Sequence, residues 1–207
     1  MIRGTQNLFN EEALRFLSLR NDLEEIAITN GFVPFIPSAL AEQEIFIQKA
    51  GKEVLEQTYS FQDKGGRDIC LIPEVTAVIQ NEYNNHWAKT LPKPIKVFYF
   101  TRCYRYERPQ KGRYREFWQF GIEILGGKAP DDKNEALSIL TKCLKGVGAV
   151  YKVIPKVKRG LNYYIEDGFE VEVASLGAQK QIAGGGRYKE GIGWAIGVDR
   201  LMLSLSY

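Results

Sequence analysis

Residues 96–125 read KVFYFTRCYRYERPQKGRYREFWQFGIEIL: two aromatic and β-branched runs flank a basic tip that contains Pro109 and Gly112. Branched and aromatic side chains fit a pleated, half-buried surface, so Lys96–Tyr106 and Phe117–Leu125 are predicted strands. Outward from this hairpin, Gln57–Phe61 and Asp68–Ile72 form a second predicted pair, turned by Asp63-Lys64-Gly65-Gly66. Between the pairs Pro73–Tyr83 reads as a helix, with Glu74 in its first turn, where the helix dipole favours a carboxylate. Leu14, Leu17, Leu23, Ile26 and Ala27 give residues 10–30 a helical stripe that stops at Asn30-Gly31. Phe32–Pro37 is extended, because its two prolines forbid a helix and suit an edge strand. Short helices are expected at 41–50 and 131–146, strands at 163–174 and 179–184, and a glycine-led helix at 194–205. The expected fold class is α+β: an antiparallel β-sheet flanked by helices, with those helices on one side. No repeat, low-complexity run or linker divides the chain, so residues 1–207 are expected to form a single domain.

Composition excludes several classes. With 207 residues, 44% hydrophobic and 26% charged, the chain is long enough to bury a core, and bulk disorder is excluded. Its 28 Lys and Arg against 25 Asp and Glu leave a net charge of +3, too small to announce a nucleic-acid coat or a polybasic membrane anchor. Cys70, Cys103 and Cys143 are scattered and the chain has one histidine, which argues against a disulfide scaffold and a zinc site. That histidine, His86, lies in the polar stretch NEYNNHWAK and reads as a surface residue. A Ser-His-Asp or Cys-His mechanism would have to use it as base. No signal core or membrane span is visible, so the chain is expected to be reduced, cytoplasmic and without a membrane partner.

The chemistry concentrates in the same hairpin. Arg102, Arg105, Arg108, Lys111, Arg113 and Arg115 alternate with Tyr104, Tyr106, Tyr114, Phe117 and Trp118. Guanidinium forks take phosphate oxygens bidentately and aromatic rings stack on planar groups, which suits a nucleotide. A solvated basic hairpin or a general nucleic-acid face would carry the same cations. Glu107, Glu116 and Glu123 in the same stretch weaken phosphate attraction unless each has its own donor, so composition leaves these readings open. Two other segments stand out. Ile182–Tyr188 with Gly191, Gly193, Gly197 and Asp199-Arg200 is glycine-rich but matches neither the phosphate-loop nor the dinucleotide spacing. Lys158–Tyr164 sets cations before paired tyrosines.

Taken together, these blocks resemble the catalytic core of class II aminoacyl-tRNA synthetases of the histidyl-tRNA synthetase type. Arg3–Gln6 resembles the family's opening. Phe32–Pro37 resembles motif 1, Leu71–Thr76 its LRPEGT segment and residues 104–123 motif 2. Arg159–Tyr164 resembles RGLDYY, Ala183–Tyr188 resembles AGGRYD, and Gly197–Arg200 resembles motif 3. The resemblance implies roles residue by residue. Arg105 holds the ATP α-phosphate, Glu107 reads the adenine amino group and Phe117 stacks on the base. Arg113 meets the outer phosphates, Arg200 grips the γ-phosphate, and Arg159 takes charge developing at the attacked phosphorus. Glu74, Thr76 and Gln119 surround the amino acid's ammonium and carboxylate, Glu123 and Tyr164 belong to the imidazole end, and Tyr163 is a further histidine-binding residue. It also implies ATP as substrate with Mg2+, histidine as ligand, a tRNA acceptor end as possible acceptor, and a homodimer built on motif 1.

Departures limit what carries over. Ile72 stands where the family has arginine and Asn162 where it has aspartate. The 123–159 interval has room for one helix and little more, so the family's insertion domain is expected to be absent or minimal, and an anticodon-binding domain is not expected. Two readings follow: activation of histidine to histidyl-adenylate, or a non-charging paralogue serving as the histidine-sensing regulatory subunit of an ATP phosphoribosyltransferase. A general RNA-binding module would leave the glycine-rich and motif 3 segments without a role.

Overall fold

The computed structural model describes residues 2–50, 56–158 and 160–205. The strands that begin at Val33, Ile95, Glu116, Gly191, Gln181, Gly168 and Lys152 lie side by side in that order in a seven-stranded sheet, and those that begin at Leu40, Asp68 and Ser60 in a three-stranded sheet. In chain order the elements are α1 (Asn10–Thr29), β1 (Val33–Pro34), β2 (Leu40–Glu42), α2 (Gln43–Ala50), β3 (Ser60–Gln62), β4 (Asp68–Leu71) and α3 (Thr76–Glu82). There follow a π-helical turn (Tyr83–Trp87), α4 (Ala88–Thr90), β5 (Ile95–Tyr104), β6 (Glu116–Leu125), α5 (Asp131–Gly146), β7 (Lys152–Val157) and β8 (Gly168–Glu172). A 3-10 segment (Ala174–Gln179), β9 (Gln181–Tyr188), β10 (Gly191–Gly197) and α6 (Val198–Ser204) close the described chain.

The hairpin is the sheet's spine. β5 and β6 pair over ten residues, from Ile95 against Leu125 to Tyr104 against Glu116. Period-two alternation then divides their side chains between two layers. On one face Phe98, Phe120, Ile122 and Ile124 pack with Phe16, Leu19 and Leu23 of α1, with Ile139, Leu140 and Leu144 of α5, and with Trp194 of β10. The Trp194 indole N–H donates to the Ala136 carbonyl at 2.8 Å. On the other face Val97, Tyr99, Cys103 and Leu125 meet Ala77 and Ile79 of α3, Phe46 of α2 and Cys70 of β4. Fully burying a side chain of this size contributes roughly 1.5–3 kcal/mol, so both layers are substantial. Helices therefore cover both faces, and the expectation of helices on one side is corrected: α3 and its neighbours form a partial second layer that leaves part of the β5–β6–β10–β9 face open.

Several boundaries also differ from the sequence reading. The 194–205 helix begins only at Val198, and Trp194–Ile196 belong to β10. Gly191, Gly193, Ala195 and Gly197 occupy alternate positions there, so the period of two is hidden by residues with little or no side chain. The 163–174 strand shrinks to Gly168–Glu172. β7, exposed along most of its length, was not expected at all. The helix expected to end at Tyr83 continues through the π-helical turn to Thr90, because no proline or glycine intervenes before Pro92. Phe32–Pro37 contributes only Val33–Pro34, the sheet's one parallel edge among the described residues.

Candidate functional site

The open face of β5, β6, β9 and β10 floors a cleft of about 550 Å3. Its shape follows from close packing on the strands. Tyr99 lies opposite Gly121, and a Cβ at Gly121 would collide with the Tyr99 hydroxyl and come within 2.6 Å of the Trp194 carbonyl. Glycine there lets the tyrosine lie across the floor.

One end is cationic. Arg105, Glu107, Arg113, Phe117 and Arg200 all line it. The Arg105 Nε donates to the Pro73 carbonyl at 2.8 Å, and its guanidinium carbon sits 5.2 Å from the centre of the Phe117 ring. That bond occupies only Nε, so the two terminal nitrogens are not committed by it. Glu107 accepts from Arg113, and the Glu107 carbonyl accepts from Arg115 at 3.0 Å. Arg200, on α6, donates to the Gln179 carbonyl. Burial and then the neighbouring Arg113 charge hold the Arg200 pKa below its ordinary value. Beside it Asp199 accepts from Gln6 and from the Trp118 amide at 2.7 Å, while burial lifts its carboxyl to about 6.

The other end is built from buried carboxyls and hydroxyls. Glu74 accepts from the Ala77 amide at 3.0 Å, capping the start of α3, and from the Tyr163 hydroxyl at 3.4 Å. Burial raises the Glu74 pKa. Glu123, fully buried on β6, accepts from Thr76 at 2.6 Å through one oxygen and from Tyr188 at 2.6 Å through the other. Burial lifts it to about 8, against the lowering effect of those two bonds and with a further rise from Glu74. The Cys103 thiol donates to Gln119 Oε1 at 3.2 Å and orients that amide. Tyr99, Tyr163 and Tyr188 are pushed well above the ordinary tyrosine range, in each case first by burial.

Ten of the twelve residues singled out by sequence line this single cleft: Glu74, Thr76, Arg105, Glu107, Arg113, Phe117, Gln119, Tyr163, Tyr164 and Arg200. Glu123 lies beneath the floor and meets the site through Thr76 and Tyr188. Arg159 lies outside the described residues. Ile72, which replaces the family's arginine, is fully buried in the apolar layer, so no cation stands at that position. His86 is exposed in the π-helical turn and does not line the cleft. Sequence reasoning missed Tyr99 and gave no role to Tyr188, Asp199 or Gln6, although these three lie in segments it marks. Alternation along β5 puts Tyr99 on the face of Val97 and was the available signal; for Gln6 the opening segment was marked, but nothing local points to a partner 193 residues away.

A family model described as histidyl-tRNA synthetase matches residues 4–154. The histidine–tRNA ligase of Archaeoglobus fulgidus is 38% identical over 151 residues, which cover 73% of this chain and 37% of that protein. That of Methanosarcina acetivorans is 28% identical over 306 residues, covering 97% of this chain and 74% of the relative. The chain thus spans little more than a third of the length of the first of these relatives. Among solved structures, apo histidyl-tRNA synthetase of S. aureus superposes with a TM-score of 0.84 at 25% identity, covering 99% of this chain and 69% of that one. An ATP phosphoribosyltransferase regulatory subunit/histidyl-tRNA synthetase from Bacillus halodurans reaches the same TM-score at 15% identity, over 99% of this chain and 82% of that one.

Proposed function

The chain belongs to the histidyl-tRNA synthetase family, and on that premise we propose that it activates histidine with ATP. The observation that carries the proposal is one cleft lined by three arginines together with buried carboxyls and hydroxyls, with Arg105 joining the two groups where it bonds the Pro73 carbonyl beside Glu74. Such a site suits a ligand pair that is polyanionic on one side and an ammonium-bearing amino acid on the other. In the proposed reaction a histidine carboxylate oxygen attacks the ATP α-phosphorus, the bond to the β-phosphate bridging oxygen breaks, and pyrophosphate leaves with that electron pair. No proton is transferred, so no histidine base is needed, and fixed guanidinium groups stabilise the charge developing on phosphorus. Arg105 is assigned to the α-phosphate, Phe117 to stacking on adenine, Glu107 to its amino group, and Arg113 and Arg200 to the outer phosphates. Arg159 is assigned by resemblance to the same charge as Arg105. Glu74, Thr76 and Gln119 are assigned to the ammonium and carboxylate, Tyr164 and Glu123 to the imidazole end, and Tyr163, bonded to Glu74, to histidine binding.

Magnesium enters this reading only as the companion of ATP. No cluster of three or more metal-ligating side chains occurs among the described residues, and the carboxylates at the cationic end are engaged, Glu107 by Arg113 and Asp199 by Gln6 and the Trp118 amide. These residues do not form a resident metal site. Transfer of the activated histidine to a tRNA acceptor end is proposed as the next step. Dimerisation is proposed through α1, β1 and the residues beside them, where Phe9, Leu14, Val33 and Ile36 are exposed. No described helix is long and apolar enough to cross a membrane.

The alternative is a histidine sensor acting as the regulatory subunit of an ATP phosphoribosyltransferase. It draws on a fold shared with the Bacillus halodurans protein, a likeness of fold alone. The arginines at the cationic end favour activation, because a sensor of free histidine has no use for them. Histidine-dependent ATP/pyrophosphate exchange tests the choice: exchange is expected, and its absence beside calorimetric histidine binding would favour the sensor.

A further inference from the structure

The segment that carries Tyr163 and Tyr164 precedes the strand that follows it, with the two rings 4.6 Å apart and Tyr163 edge-on to Tyr188 at 6.1 Å. β8 does not begin until Gly168, and the Tyr163 hydroxyl reaches Glu74 at only 3.4 Å. Further anchors lie on the far side of β9. Arg187 forks onto Asp132 of α5, with bonds of 3.0 and 2.6 Å. Its Nε lies 3.4 Å from Glu166, and its carbonyl accepts from the Ile165 amide at 3.0 Å. Lys133 stands 3.9 Å from the same Glu166. The next residue, Tyr188, points the other way, to Glu123, and bridges to Tyr164. The Arg187 side chain is 16% exposed and that of Asp132 3%. A planar two-pronged pair with so little water around it admits few other geometries, because moving either charge would strand the other in a low dielectric.

We propose that Arg187 is a positioning residue for the amino-acid end of the cleft: locked to Asp132, it holds residues 163–166 through Glu166 and its own carbonyl, so that the two tyrosines close over Glu74. The proposal rests on the reading of this end as the histidine site. Arg187 touches neither ligand nor cleft wall; it acts through the segment it holds. Lysine at this position keeps the charge but loses the fork, so it would let the segment drift while leaving the cationic end unchanged.

The test is calorimetric titration of the full chain with histidine and, separately, with ATP, using Arg187→Lys, Glu166→Gln and Asp132→Asn. Misplacement of a positioning segment is expected to weaken histidine binding by about tenfold, with ATP affinity held within about twofold. Residues acting as one unit also make the Arg187→Lys/Asp132→Asn double variant no worse than its worse single. Unchanged histidine affinity in Arg187→Lys and Glu166→Gln would overturn the proposal, as would equal losses of histidine and ATP affinity. If the changes at Arg187 or Asp132 prevent folding, Glu166→Gln decides alone, since that side chain is 44% exposed. If the unchanged chain binds no histidine, the parent reading falls separately. Amide exchange over residues 163–166 then judges the clasp: faster exchange in the variants supports it, and unchanged exchange overturns it.

Discussion

The two ends of the cleft are built on opposite principles. At the cationic end the charged groups are arginines, whose charge survives almost any environment, and several of their contacts are partly solvated; the Arg113 side chain is 44% exposed. At the carboxyl end Glu74 and Glu123 are almost fully buried, at 5% and 0% exposure, and their protonation is set by their surroundings. One end depends on which residues are present and the other on how tightly the fold surrounds them. The cationic end should therefore fail through loss of charge, and the carboxyl end through small changes of volume or pH.

The sharpest way to break this contrast is Arg105→Ala. On the proposed reading, in which Arg105 meets the α-phosphate, losing its guanidinium is expected to cost about a thousandfold or more in exchange rate, with histidine affinity within about tenfold by calorimetry. A parallel fall in histidine affinity would show that the two ends are not separable. Arg159→Ala is expected to behave in the same way.

Gly193→Ala is the corresponding volume change at the other end. A Cβ there would overlap the Glu123 carboxylate and lie 2.6 Å from the Ile122 carbonyl. Overpacking of this kind costs about 1–3 kcal/mol, and histidine binding should be lost with it; thermal unfolding and calorimetry check both.

A pH series probes burial directly. Burial raises Glu123 from the ordinary 4.5 to about 8, so across that window the folded chain keeps a proton that the unfolded chain releases. Ligand-free stability therefore falls as pH rises from 4.5 to 8 and is lowest above 8. Asp199, raised from 3.8 to about 6, acts with the same sign at the lower end. Glu123→Gln should remove the upper part of the slope, bringing the unfolding midpoints at pH 6 and pH 8.5 together; a slope that persists would place its source elsewhere.

The smallest effect is expected from Glu107→Gln, which breaks the pair with the half-exposed Arg113. Exposed pairs contribute about 0–1 kcal/mol, so the unfolding midpoint should hardly move while ATP affinity falls and histidine affinity holds.

The cationic end was the more legible in the sequence for the same reason. Arg105, Glu107, Arg113 and Phe117 lie within one hairpin, and a spacing of a few residues carries directly into contact when two strands pair in register. The carboxyl end assembles Glu74, Thr76, Glu123 and Tyr188 from three separate stretches, and the glycine-rich segment that ends in Tyr188 gave no sign that its tyrosine would meet Glu123. Local patterns likewise gave α1, α5 and the hairpin within a few residues, because each has an uninterrupted apolar period. They missed β7, whose mostly exposed residues show no apolar face, and misread the start of β10, whose alternate positions are mostly glycine.

By itself the sequence determined the α+β class, the paired strands with their basic tip, and the family to which the chain belongs, since these depend on residue type and short-range order. Only the tertiary structure decided that Glu123 lies beneath the floor with both oxygens occupied, that helices cover both faces, and that Arg187 reaches across the sheet to Asp132. Those facts depend on desolvation and on contacts between distant residues, and a carboxyl or guanidinium carries no local mark of how deeply it will be buried or what will face it.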